Sequence, residues 1–186
     1  LIFLLILIVL PLKAFAELRI DITRGNTEPI PVALLKFNSN SNEEGKISTK
    51  INNVVSNNLQ RSGLFKVLPE ETFLEKNIKF NDTPTFSSWK LTTSQGLIHG
   101  RLSFKRNQSL VIEFRLWDVF SEKQMVAQQL TTEISNWRRI AHVISDIIYK
   151  RITGESGYFD SRIVYISESG PKSNRKKRLA IIDQDG

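Results

Sequence analysis

At 186 residues, with 40% hydrophobic and 24% charged side chains, the chain has room for one or two ordinary globular domains. It contains no cysteine, which excludes a disulfide framework, a thiolate metal site and the lipid-bearing cysteine of a bacterial lipoprotein. The formal charge of +7 is spread along the sequence, its one tight run being Arg175-Lys176-Lys177-Arg178, a pattern of solubility with no nucleic-acid partner implied.

The first twelve residues are almost wholly aliphatic and are followed by Lys13 and Ala14-Phe15-Ala16. An apolar stretch ending in small residues at alternate positions is what signal peptidase reads. Residues 1–16 are therefore predicted to be a signal peptide, with Ala14 and Ala16 at the cleavage site and Glu17 as the first mature residue. Pro11 and Lys13 interrupt the run short of the roughly 20 apolar residues that a membrane span needs. With no initiating methionine and a last residue inside a turn, the chain reads as a fragment of an exported protein. That protein is expected to be soluble in the periplasm, peripheral to the membranes and not anchored.

Residues 17–23 alternate apolar Leu18, Ile20 and Ile22 with charged Glu17, Arg19 and Asp21, which predicts a half-buried strand ending at Thr23. Arg24-Gly25-Asn26 is turn chemistry, and residues 31–37 form a more uniformly apolar, central strand. Ile47, Ile51, Val54, Val55 and Leu59 mark one face of a helix over 43–62, with Ser41 or Asn42 as its cap and Gly63 as its stop. Residues 65–68 read as a short strand ended by Pro69, residues 70–77 as one or two helical turns, and residues 78–88 as a loop around Pro84. Strands over 96–105, 110–117 and 124–133, joined by polar turns, predict an antiparallel meander. Asn136 is placed to cap a helix running to Thr153, with Ile140, Val143, Ile144, Ile147 and Ile148 on its apolar side. Gly154 ends that helix and Gly157 allows a turn, each through the ease with which glycine takes positive φ. Residues 162–167 and 179–183 are two further strands, with Arg175–Arg178 in the loop between them. The fold class is thus α/β (mixed α+β), with a mixed sheet and two main helices over residues 17–153. A linker over 154–161 and the start of a strand-built domain over 162–186 follow.

Catalytic chemistry is hard to find in this pattern. The two histidines, His99 on a strand and His142 on a helix, are expected to be packing or surface residues. There is no HxxxH pair, Gly-x-Ser-x-Gly elbow, phosphate loop or GxGxxG. Glu113, Asp118 and Glu122 share one hairpin, as the charged face of an exposed sheet does without acid–base work. The triplets Asn81-Asp82-Thr83 and Asn107-Gln108-Ser109 match a glycosylation acceptor by chance. No catalytic residue, cofactor or metal is expected, and the weight falls on a binding role.

Four stretches resemble the TolB family of the Tol–Pal envelope system. They are Glu17-Leu18-Arg19-Ile20-Asp21-Ile22 behind a signal peptide; Asn58-Leu59-Gln60-Arg61-Ser62-Gly63-Leu64-Phe65; the seam from Ile152-Thr153-Gly154-Glu155-Ser156-Gly157 to Tyr165-Ile166-Ser167; and Leu179-Ala180-Ile181-Ile182-Asp183-Gln184-Asp185-Gly186. The resemblance implies an N-terminal α/β domain followed by a six-bladed β-propeller, of which 162–186 would be the first strands. It implies a non-enzymatic periplasmic adaptor that links TolA to Pal, maintains outer-membrane integrity and supports constriction at division. The TolA-binding segment would be Glu17, Leu18, Arg19, Ile20, Asp21, Ile22 and Thr23, whereas Pal would bind the propeller. The competing reading is an accessory domain of a propeller-containing periplasmic hydrolase.

Overall fold

The computed structural model describes residues 28–106 and 108–186. The predicted signal peptide, its cleavage positions Ala14 and Ala16 and the predicted strand over 17–23 lie outside the described residues.

A five-stranded mixed sheet is the frame. β1 (Ile30–Leu34) pairs in parallel with β2 (Phe65–Val67) on one side and with β3 (Gly96–Phe104) on the other. β3, β4 (Ser109–Asp118) and β5 (Lys123–Glu133) form the predicted meander, giving the order β2-β1-β3-β4-β5. The two parallel pairs need long crossovers, and the first of these is the helix α1 (Asn42–Arg61). It begins with a capping box. Ser41 Oγ accepts the Glu44 N–H at 3.2 Å, and the Glu44 carboxylate accepts the N–H groups of Asn40 (2.8 Å) and Ser41 (3.1 Å). The same carboxylate also accepts the Phe104 N–H at 2.8 Å, so it ties the start of α1 to the end of β3. Burial pushes the Glu44 carboxyl up, yet the hydrogen bonds from Phe104, Asn40 and Ser41 outweigh it and hold the group below its ordinary value. Two more buried polar residues of α1 satisfy carbonyls where β1 gives out: Ser48 donates to Phe37 O and Asn52 Nδ2 to Leu35 O, both at 2.7 Å.

α1 and α3 (Trp137–Thr153) cover one face of the sheet. Ile51, Val55, Leu59, Ile140, Ile144 and Ile148 pack there against Ile98, Leu102, Ile112, Phe114 and Leu116. The opposite face is covered too: the loop expected over 78–88 runs only to residue 85. Residues 86–91 are a short helix, α2 (Phe86–Leu91), that buries Phe86 and Trp89 with Phe73 and Ile78 against Ala33, Leu35, Leu97, Trp117 and Val119. Six residues cannot hold a helix by propensity, so packing holds it. Of the turns expected over 70–77 only Glu70–Thr72 is helical. Asn136 does not cap α3 with its side chain, because a 3₁₀ turn (Ile134–Asn136) runs straight into the helix and leaves Asn136 outside the extended conformation that a cap adopts.

His99, 1% exposed, lies on that second face, where its Nε2 accepts the Trp117 Nε1–H at 2.9 Å. Burial and then the Arg115 guanidinium push the ring down to about 4, the Glu75 carboxylate opposing them. The unfolded chain therefore takes up a proton as pH falls through the ordinary value of about 6.5, while the folded chain refuses it until about 4. Roughly 3 kcal/mol of stability is expected to disappear across that window. Urea unfolding from pH 7 to pH 4 checks it: His99→Gln should flatten the slope, and an equal slope in both proteins would refute the assignment.

α3 ends at Gly154, whose φ of +81° is the left-handed stop. Gly157 serves a different purpose from the one its sequence suggested. It is not among the positive-φ glycines, and a Cβ there would run into Asp146, 2.7 Å from that residue's Cα. The glycine is needed for close approach. Beyond it, β6 (Arg162–Ser169) and β7 (Lys176–Asp183) form a separate antiparallel pair. Its reversal is at 170–175, so Lys176, Lys177 and Arg178 are strand residues opposite Ser169, Glu168 and Ser167, not loop residues. Glu168 holds Arg175 at 2.7 Å and Lys177 at 3.0 Å, which lets the strand run on through the basic cluster. Ile163, Val164, Tyr165, Ile166, Leu179 and Ile181 are exposed, on both faces of the pair.

Candidate functional site

The polar residues that the fold draws together lie where the β7 end meets the helical layer. Asn58, fully buried near the end of α1, projects toward α3. Its Nδ2 donates to Ser145 Oγ at 3.0 Å and to His142 Nδ1 at 2.9 Å, and the Ser145 hydroxyl donates to Ala141 O at 2.9 Å. Because Ser145 gives its own proton to that carbonyl, it accepts from Asn58. The amide nitrogen therefore faces His142, and Nδ1 is the acceptor. The ring proton is then on Nε2. The Asn58 carbonyl oxygen accepts from Arg61 at 3.2 Å and from Gln184 Nε2 at 3.3 Å.

Residues 183–186 supply the other half. Arg61 donates to Gln184 Oε1 at 2.7 Å, and Arg138 donates to Asp185 Oδ2 at 2.7 Å and to Gly186 O at 3.2 Å. Asp183 stands 3.9 Å from Arg138 Nε and 3.4 Å from Arg162 Nε. His142 Nε2 faces Asp185 Oδ1 at 3.6 Å. Burial pushes the His142 ring below its ordinary value; Asp185 opposes that, Arg138 adds to it, and Asp183 and Asp160 oppose it more weakly. The ring is thus neutral at pH 7.

Chemically this is a latch. Ser145 is spent on its own helix and His142 turns its basic nitrogen to an amide, so the group holds no nucleophile activated by a base. The contacts to residues 183–186 are polar and partly exposed, each worth about 1 kcal/mol or less, so they hold the hairpin reversibly. In the sequence Asn58, Asp183 and Asp185 stand out only within longer motifs, and His142 reads as a packing or surface residue. The one available signal was spacing: Arg138, His142 and Ser145 fall on one side of α3. The predicted binding residues Glu17, Leu18, Arg19, Ile20, Asp21, Ile22 and Thr23 are not placed by the described structure. No helix among the described residues is long and apolar enough to cross a membrane.

Residues 18–125 match the family model of the TolB amino-terminal domain. The Tol-Pal system protein TolB of Pelagibacter ubique is 47% identical over 191 aligned positions, covering 98% of this chain and 43% of that protein. The protein of the same name from Paramagnetospirillum magneticum is 46% identical over 175 positions, covering 94% of this chain and 39% of its own length. The chain therefore spans less than half of the curated relatives it matches. Among solved structures, TolB from Acinetobacter baumannii shares the fold, with a TM-score of 0.70 at 22% identity over 89% of this chain and 39% of that one.

Proposed function

The chain belongs to the TolB family, and on that ground we propose that it is part of a non-enzymatic periplasmic adaptor of the Tol–Pal system. The observation that carries this is the 47% identity, across 98% of the chain, to a protein named for that system. On this reading residues 1–16 are a signal peptide, 17–153 the amino-terminal α/β domain, 154–161 the linker and 162–186 the start of a β-propeller. The exposed apolar residues on both faces of the β6–β7 pair support the last assignment, since a propeller blade buries its faces against neighbouring strands. TolA is the partner of residues 17–23 and Pal the partner of the propeller. Together they support outer-membrane integrity and envelope constriction at division. Residues 18–23 fall inside the stretch matched to the family domain, and an alternating strand of this kind can add to the edge of a partner's sheet.

Calorimetry of the mature protein against the C-terminal domain of TolA tests the mechanism. Deleting residues 17–23 is expected to abolish binding while the circular dichroism spectrum persists. Undiminished binding by the deletion variant would place the TolA contact elsewhere.

A further inference from the structure

Two atoms of the latch face each other without a hydrogen-bond partner among the described residues: His142 Nε2 and Asp185 Oδ1. His142 is 2% exposed, so bulk water does not stand in for the missing partner. Leaving a buried polar atom unsatisfied forfeits its hydration with nothing in return, which makes the arrangement uncommon unless something else belongs there. The 3.6 Å between the two atoms is longer than an N–H···O bond, whose heavy atoms stand about 2.7–3.2 Å apart. It suits two ligands of one metal ion. With metal bonds of roughly 2.0–2.2 Å, a histidine nitrogen and a carboxylate oxygen on one ion lie roughly 3.3–3.6 Å apart. Asp183 offers a third oxygen, and the three ligand atoms all lie within 4.8 Å of one another.

We infer that His142, Asp183 and Asp185 form a binding site for a divalent transition-metal ion, Zn²⁺ foremost, that pins residues 183–186 to α3. One imidazole and two carboxylates suit Zn²⁺ and leave a position for water. Arg138 holds Asp185 through Oδ2 and so leaves Oδ1 to the ion, a bracing contact of the kind that orients metal-bound carboxylates. The arginines beside the two aspartates offset their charge, which keeps the affinity modest. A metal on Nε2 requires the ring proton on Nδ1. Binding therefore moves that proton and turns the Asn58 amide so that its oxygen faces the ring; the bonds that oxygen accepts from Arg61 and Gln184 Nε2 are given up, while Arg61 keeps its bond to Gln184 Oε1.

The test is equilibrium dialysis of the untagged full chain against Zn²⁺ with metal analysis, paired with the visible absorption of Co²⁺ as a reporter of coordination. The parent is expected to hold one more Zn²⁺ per chain than Asp185→Asn, with affinity at the site falling about tenfold or more and the matching Co²⁺ band missing. Asp185 is on a partly exposed turn, so this variant keeps the fold where His142→Gln could lose it. Equal metal content and equal Co²⁺ spectra in parent and Asp185→Asn would overturn the site.

Discussion

Gly157→Ala is expected to destabilise the chain by roughly 3 kcal/mol, far more than a glycine-to-alanine change in open space. The new Cβ collides with Asp146, including its backbone Cα, which α3 holds in place. The only relief is for residues 157–160 to lift. The Asp146 carboxylate accepts the N–H groups of Phe159 at 2.8 Å and Asp160 at 3.0 Å, so lifting breaks two charge-assisted hydrogen bonds. It also draws Phe159, fully buried edge-on to Tyr149 at 5.8 Å, out of its place. Gly154→Ala is the internal comparison. No atom lies within 4 Å of its Cβ, so only the left-handed backbone is strained, at about 1 kcal/mol. Urea denaturation of the two variants side by side is the check, and a Gly157→Ala loss no larger than that of Gly154→Ala would rule out the steric account.

Glu44→Gln is expected to cost about 2–3 kcal/mol, although the two side chains have nearly the same shape. Three backbone N–H groups, of Asn40, Ser41 and Phe104, converge on the carboxylate, and an amide would turn its own N–H₂ toward some of them. The pH dependence separates charge from shape. The folded carboxyl lies below the ordinary 4.5, so its contribution is complete above that value and is lost as pH falls through the folded one. The Glu44→Gln variant has no such loss, and the gap between the two proteins should narrow in acid. A gap that stays constant down to the acid transition would mean that shape alone decides the position.

Residues with a local signature were legible in the sequence. The stripe Ile51, Val54, Val55, Leu59 makes α1, Gly63 (φ +74°) and Gly154 end their helices, and the alternation over 109–133 makes the meander. Each of these is decided within a few residues of chain. What sequence reasoning missed depends on partners far away. α2 exists because Phe86 and Trp89 find Phe73, Trp117 and Val119, and no periodicity announces that. The latch is harder still, since Asn58 and His142 are ordinary polar residues on amphipathic helices until tertiary packing brings their side chains to 2.9 Å. Gly157 could be read only as flexible, because its real constraint is a neighbour on α3.

The sheet order also carries a timetable. β1 is flanked by β2 and β3, and β3 is separated from it in sequence by α1, β2 and α2. Whenever the chain emerges from its N-terminal end, β1 leaves first yet must wait for β3 before its second edge is closed. The β3–β4–β5 meander, made of neighbours in sequence, can zip up as soon as it is free. The parallel pairing of β1 with β3, which closes a far longer loop, is therefore expected to form after the meander. Until it happens, the apolar residues Val32, Ala33 and Leu34 lack the cover that buries them in the finished sheet.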